Sequence, residues 1–176
     1  MNTREQEYYG YCMANNKPYF GRFMAAGQGS PIRHAYMQAL IKHECNNRYG
    51  SPFIILEIGS WAGGSAITWA DAIKIFNGGK GFVVCVDSWK PFFEPSDYSE
   101  FDDKSIYHDM ADALSDDKIY NLFSHNIKAS KYDDIIIPCR GKSVDILPLF
   151  CEGRFDLVFI DGDHTFKFVA NVLSVS

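Results

Sequence analysis

The 176-residue sequence lacks any long hydrophobic run. A helix that crosses a bilayer needs about 20 predominantly apolar residues, and no segment approaches that length. The amino-terminal stretch MNTREQEYYGYCMANNK also lacks the apolar core of a secretory signal. These absences argue against a membrane partner and predict a cytoplasmic protein.

Cysteines with metal-ligand spacing are missing as well. The five cysteines are an odd number, and none forms a CxxC pair or the spacing of a zinc site, so we expect reduced thiols. The sequence also has no basic stripe that could neutralise a phosphate backbone. We therefore expect no nucleic-acid partner.

Negative charge is concentrated in one segment. The net charge is -5, and residues 90–117 alone carry nine acidic residues against two lysines, a balance of -7. We interpret residues 90–117 as an acidic insertion. It is either a solvated surface loop or a lid over a ligand site.

The hydrophobic residues that are present, 47% of the chain, suffice for one core and hence for a single domain. Four continuous apolar runs are each followed by a helical pattern, which predicts a doubly wound, Rossmann-like α/β fold with a parallel sheet. Pro138 lies in the third run and favours an edge strand, so we predict the strand order 3-2-1-4. The runs are FIILEI, GFVVCV, IIIPCR and FDLVFI, and the last is followed by the helical pattern TFKFVANVLSV.

A further helix is predicted before the first strand. Ser30 is its candidate N-cap and Pro31 its first residue. An apolar stripe at helical spacing predicts that the helix packs on the sheet. The stripe consists of Ile32, Ala35, Tyr36, Ala39 and Leu40.

Residues 1–29 precede this pattern and are rich in aromatic side chains. We interpret them as an N-terminal arm or cap. As a cap they would cover the substrate side of the domain. As an arm they would make dimer contacts in a homo-oligomer.

The predicted ligand site lies where strands 1 and 4 end, because ligands of such sheets bind where the strand order reverses. Glu57 and Gly59 close strand 1, Asp87 closes strand 2, and Asp161 closes strand 4. Asp87 follows Gly63 by 24 residues, near the offset of about 20 at which an acid binds a ribose. The alternative is an acid that only caps a turn.

The glycine pattern argues against a dinucleotide. An NAD site uses G-x-G-x-x-G, whereas this turn has Gly59 and Gly63 separated by three residues and followed by Gly64. An NAD-dependent oxidoreductase is therefore disfavoured.

Four segments together resemble a known family. ILEIGSWAGGSAITWA, VVCVDSW, GKSVDILPLF and FDLVFIDGDHTF are similar to successive motifs of class I S-adenosylmethionine-dependent methyltransferases. Within the catechol O-methyltransferase-like group they most resemble the macrocin/mycinamicin O-methyltransferase type. The resemblance runs from about residue 30 to the end of the chain.

The resemblance implies S-adenosylmethionine as cofactor. Asp87 would hold the ribose and Ser143 would lie by the adenine. Trp89 directly follows Asp87 and Ser88, and we expect it to flank the adenine. Ser88 stands between Asp87 and Trp89 in the same cofactor segment. The methionine end would be lined by Glu57, Gly59, Ser60 and Gly63.

The resemblance also implies the chemistry, which is O-methylation of a small-molecule hydroxyl on a sugar or natural product. Asp161 would ligate Mg²⁺, which polarises a bound hydroxyl. His164 would be the base, although it could instead make a structural hydrogen bond at a helix start, and Asp163 would cap that helix. The alternative to an enzyme is a catalytically inert cofactor-binding remnant.

The family's sheet has seven strands in the order 3-2-1-4-5-7-6, yet only four are recognisable here. We therefore expect residues 30–176 to form a C-terminally truncated methyltransferase domain without strands 5–7. Such a domain would have an incomplete metal and acceptor site.

Overall fold

The structure, a computed structural model, describes residues 3–46, 48, 50–91, 105–150 and 154–162. The helix predicted from TFKFVANVLSV lies outside these residues. The described elements in chain order are α1 (Thr3–Ala14), α2 (Pro31–Cys45), β1 (Phe53–Ile58), α3 (Gly64–Phe76), β2 (Gly81–Asp87), α4 (Ser105–Leu114), α5 (Lys118–Ala129), β3 (Ile136–Arg140), α6 (Ser143–Ile146) and β4 (Leu157–Ile160).

The four strands form one parallel sheet in the order β3-β2-β1-β4. Ile58 of β1 is in register with Val86 of β2 and with Ile160 of β4, so the carboxyl ends of these three strands are level. Pro138 lies on β3, at the edge of the described sheet. The predicted order and the edge position of Pro138 are both confirmed.

Both faces of the sheet are covered, which explains why its strands are continuous apolar runs. On one face Ile55 and Cys85 pack into the larger core cluster together with helical residues such as Trp69. The opposite face carries a smaller cluster of Leu56, Ile58, Val84, Val86 and Leu147. The doubly wound architecture is confirmed.

Helix α2 begins as predicted but presents a different face to the protein. The Ser30 side chain accepts a hydrogen bond from the Arg33 amide, and Pro31 is the first residue. However, Ile32 and Tyr36 are 83% and 73% exposed, so the predicted stripe is wrong. The helix packs against α3 through the adjacent stripe of Met37, Ile41 and Cys45, which are buried.

Residues before α2 are part of the folded structure. Cys12 of α1 and Tyr19 are buried in the main core. The Tyr19 hydroxyl donates to Glu5 and accepts from the Phe23 amide, which ties α1 to the segment that follows it. Whether this segment is a cap or a dimer arm stays a prediction, although it contacts the rest of the fold closely.

Within the acidic insertion, Ser105–Leu114 form helix α4. Ala113 and Leu114 at the end of α4 are buried in the main core, and α4 packs against the short helical turn Phe23–Ala25. The lid interpretation remains a prediction for residues 92–104, which lie outside the described part of the chain. In the ranges that the structure covers, no helix is long and apolar enough to cross a membrane.

Candidate functional site

The turn between β1 and α3 depends on two glycines. Gly59 has φ +88° and Gly63 has φ +87°, a left-handed region that favours glycine. A Cβ atom at Gly59 would lie 2.6 Å from the carbonyl oxygen of Asp161 and 2.5 Å from Cα of Gly162. Gly59 therefore allows the ends of β1 and β4 to approach each other.

Asp87 holds this turn in place. Its Oδ2 accepts hydrogen bonds from the backbone amides of Ser60 and Trp61, at 3.0 and 3.1 Å, and its Oδ1 accepts one from the amide of Trp89, at 2.7 Å. A carboxylate has about four acceptor positions, so little capacity remains for a ribose diol. Burial raises the pKa of Asp87, and the same backbone amides oppose that rise. The predicted ribose contact stays a prediction, and the bonds to the turn amides correspond to the stated alternative of an acid that caps a turn.

Glu57 is completely buried beneath the turn. Its Oε1 accepts a hydrogen bond from the Ser65 hydroxyl at 3.1 Å. Burial raises the pKa of Glu57 to about 8, and the nearby hydroxyls of Ser60 and Ser65 and the positive charge of Arg33 act in the opposite direction. Glu57 is thus largely neutral at pH 7, unlike an ordinary glutamate.

Two buried polar atoms near the turn have no hydrogen-bond partner of normal geometry in the described residues, although the Ser60 hydroxyl is close enough to Glu57 to lower its pKa. They are Oε2 of Glu57 and Oγ of Ser60. A buried polar atom without a partner is unfavourable by about 1 to 3 kcal/mol. Such atoms mark a place where a polar ligand group would be stabilising, and they lie where the methionine end of the cofactor was predicted.

Trp89 is a core residue in this structure. Its ring is fully buried, with the rings of Tyr120 and Phe123 at centroid distances of 5.0 and 4.7 Å. Its Nε1 donates to the carbonyl of Trp61 at 2.8 Å. The predicted contact of Trp89 with adenine stays a prediction that this packing does not favour.

Ser143 lies close to the same edge of the sheet. It is buried at the start of α6, two residues after Gly141, whose amide donates to the carbonyl of Asp87 at 2.9 Å. Ser88 is half-buried, and its hydroxyl accepts from the amide of Lys90 at 3.3 Å. The structure therefore places Ser88 and Ser143 on the Asp87 side of the turn.

The amino-terminal segment covers the glycine-rich turn. The Trp61 Nε1 donates to the carbonyl of Ala25 at 2.9 Å, and a Cβ atom on Gly64 would lie 3.5 Å from the ring of Phe20. Phe20 and Ala25 thus lie against the turn, and the choice between a cap and a dimer arm stays a prediction.

Asn126 was missed by the sequence interpretation. It is completely buried, and it exchanges hydrogen bonds with the backbone of Tyr19 and donates to the carbonyl of Ala62. It joins the amino-terminal segment to the turn. The signal was its position four residues after Leu122 and three after Phe123, on an apolar helix face where a buried polar residue must find partners.

Asp161 lies at the end of β4 and is paired with Arg33 of α2. A guanidinium therefore stands beside the carboxylate that was predicted to bind Mg²⁺. Within the described ranges there is no group of three or more His, Cys, Asp or Glu side chains that could hold a metal ion. The donors that residues 3–162, as far as the structure describes them, place around Asp161 do not fit a Mg²⁺ site, which normally combines several oxygen ligands. Asp163 and the predicted base His164 lie outside the described residues.

The chain matches the model of one protein family. Residues 56–176 match a family described as "Methyltransferase domain". This range covers well over half of the chain and includes the glycine-rich turn, Asp87 and Asp161. No curated protein matches the chain.

Solved structures share the fold. A cofactor-bound protein from MTB, Rv0187, is 18% identical with a TM-score of 0.56, over 98% of this chain and 61% of its own. An O-methyltransferase from Bacillus cereus in complex with SAH is 21% identical with a TM-score of 0.51, over 100% and 62%. TomG, an O-methyltransferase from Streptomyces achromogenes in complex with SAM, is 16% identical with a TM-score of 0.51, over 100% and 61%. The chain thus spans about three fifths of the length of these proteins.

Proposed function

This chain belongs to the family of methyltransferase domains, and we propose that it transfers the methyl group of S-adenosylmethionine to a hydroxyl oxygen of a small molecule. The observation that carries the proposal is the glycine-rich turn at the ends of β1 and β4. Asp87 fixes its backbone, and Oε2 of Glu57 and Oγ of Ser60 are left without partners beside it.

The polarity of these groups suits the cofactor. The cofactor's methionine end carries a positively charged amino group, which would favour the ionised form of Glu57. Oε2 of that carboxylate and Oγ of Ser60 can then accept hydrogen bonds from the amino group. The absence of a G-x-G-x-x-G turn supports a phosphate-free ligand over a dinucleotide. The similar proteins whose descriptions mention SAH or SAM share this fold, which is consistent with the same choice.

When bound, the cofactor supplies an electrophilic methyl group, which passes to the acceptor oxygen as the carbon–sulphur bond breaks and its electron pair remains on sulphur. Asp87 and Asn126 keep the turn in one conformation, which orients the ligand before the reaction. His164 is the proposed base that takes the hydroxyl proton. No step is assigned to Mg²⁺, because Arg33 already pairs with Asp161.

Natural products and sugars are the proposed acceptor class. TomG is described as acting in tomaymycin synthesis, and the motifs of this chain resemble enzymes that modify natural products. A catalytically inert cofactor-binding domain is the second candidate.

Calorimetry with S-adenosylhomocysteine and NAD⁺ tests the cofactor. We expect S-adenosylhomocysteine to bind at least about 100-fold more tightly, a difference of about 2.7 kcal/mol, because the turn lacks the dinucleotide glycine pattern. Tighter binding of NAD⁺ would contradict the proposal. A screen of hydroxyl-bearing acceptors with labelled cofactor then separates an enzyme from an inert domain.

The role of His164 is tested by substitution. We expect His164→Ala to lower methyl transfer by about 100-fold or more, the usual contribution of a general base, while S-adenosylhomocysteine affinity is retained. The control is His43→Ala, because His43 is exposed in the last turn of α2. Full turnover by His164→Ala at neutral pH would place the base elsewhere.

A further inference from the structure

The ion pair between Arg33 and Asp161 joins the first turn of α2 to the end of β4. Both side chains are about one-third exposed or less. The guanidinium carbon of Arg33 lies 5.3 Å from the ring centroid of Phe159, and that ring packs edge-on against Trp69 at 5.4 Å. Arg33 is therefore held by a carboxylate and by an aromatic face together.

The backbone of Arg33 is fixed as well. Its amide donates to the Ser30 side chain that caps α2, so the residue is anchored at the start of a 15-residue helix. Its buried Nε has no acceptor in the described part of the chain. The guanidinium thus has donor capacity beyond its bond to Asp161.

The charges around the pair disfavour a second cation. Arg33 and Asp161 both act on the buried carboxyl of Glu57, in opposite directions, which places all three groups in one electrostatic neighbourhood. A divalent ion at Asp161 would have to displace the guanidinium or remain beside it, where like charges repel.

We propose that the guanidinium of Arg33 occupies the cation position beside Asp161, so that Arg33 and not a divalent ion supplies the positive charge at the acceptor side of this site. Arg33 is then a positioning residue. Its guanidinium neutralises Asp161 at the end of β4. The inference rests on the proposed function for its place in the reaction, but its test needs no turnover.

The test measures Mn²⁺ binding by electron paramagnetic resonance, with Mn²⁺ as a probe for the Mg²⁺ position. The wild-type chain and Asp161→Asn should bind Mn²⁺ equally weakly, because Arg33 blocks the carboxylate. Arg33→Met keeps an apolar stem against Phe159 but removes the charge. We expect it to bind Mn²⁺ about tenfold more tightly than wild type, and we expect that gain to be lost in Arg33→Met combined with Asp161→Asn.

The chain offers a matched control at the other end of β4. Arg48 pairs with Asp156, and its guanidinium carbon lies 4.6 Å from the ring centroid of Phe53. Arg48→Met frees a carboxylate of similar exposure that lies away from the turn. It should leave Mn²⁺ affinity unchanged.

Three results would overturn the proposal. They are Asp161-dependent Mn²⁺ binding by the wild-type chain, no gain in Arg33→Met, and an equal gain in Arg48→Met. If circular dichroism shows that Arg33→Met does not fold, the proposal is decided by the Mn²⁺ affinities of wild type and Asp161→Asn alone. Binding of S-adenosylhomocysteine is measured separately on the same samples, so failure of the cofactor proposal is distinguishable from failure of this one.

Discussion

Asp87→Ala should weaken binding of S-adenosylhomocysteine by about 10- to 150-fold, or about 1.5 to 3 kcal/mol, the range for hydrogen bonds to a charged group. The effect has two sources. The hydrogen bonds predicted between the Asp87 carboxylate and the ribose are lost, and the turn loses the acceptor of its Ser60 and Trp61 amides.

The same substitution should lower the free energy of unfolding. Three backbone amides lose their acceptor, and each unsatisfied buried amide is unfavourable by about 1 to 3 kcal/mol. Because water can reach part of the turn, we expect a total of about 3 to 6 kcal/mol. Urea unfolding measures this loss, and calorimetry on the folded fraction measures the affinity.

Asp156→Ala is the matched control for Asp87→Ala. Asp156 also accepts a backbone hydrogen bond, from the amide of Ile54 at 2.7 Å, and pairs with Arg48, but it precedes β4 at the opposite end of the sheet. Its loss should destabilise the fold without changing cofactor affinity. A folded Asp87→Ala variant with unchanged affinity would remove Asp87 from the site.

The stability of the chain should fall as the pH rises from about 4.5 to about 8, because of Glu57. The folded-state pKa of about 8 lies above the ordinary value of 4.5, so the folded state binds more protons across this window. Stability therefore decreases until Glu57 is ionised in both states and changes little above that. The full effect is about 3 to 5 kcal/mol.

Glu57→Gln isolates this contribution. Gln keeps the shape and an acceptor for Ser65 but does not titrate, so the pH slope assigned to Glu57 should vanish. His34 acts in the opposite direction, because burial and the charge of Arg33 lower its pKa and stability then rises with pH through its titration. The free energy of unfolding is therefore measured with urea for wild type and Glu57→Gln at pH 5, 6.5 and 8. The contribution of His34 is the same in both proteins and cancels in the difference. Parallel curves for the two proteins would show that Glu57 is ionised in the folded state.

Several features were predictable because they depend on local sequence. Continuous apolar runs bounded by turns predicted all four strands, and Pro138 predicted the edge position of β3 because proline lacks a backbone donor. The left-handed turn at Gly59 and Gly63 follows from the freedom of glycine. Since parallel strands end at one edge of the sheet, the meeting of Glu57, Asp87 and Asp161 there was also predictable.

Helix α2 shows where local pattern is insufficient. Its sequence contains two adjacent apolar stripes, and a helical period of 3.6 residues is compatible with either. Packing against α3 selected the stripe with Met37 and Ile41 and left Ile32 and Tyr36 exposed. The choice depends on the position of another helix, which periodicity does not contain.

The sequence by itself determined the strands, their order, the position of the turn and the edge of the sheet where the site lies. Only the tertiary structure decided how the acids are used. The bonds of Asp87 to the turn join residues 26 and 27 positions apart. Arg33 and Asp161 are 128 positions apart, and Asn126 and Tyr19 are 107 positions apart. The physical reason is that propensity and periodicity act over a few residues, whereas burial and charge pairing depend on which distant elements the crossovers of the sheet bring together.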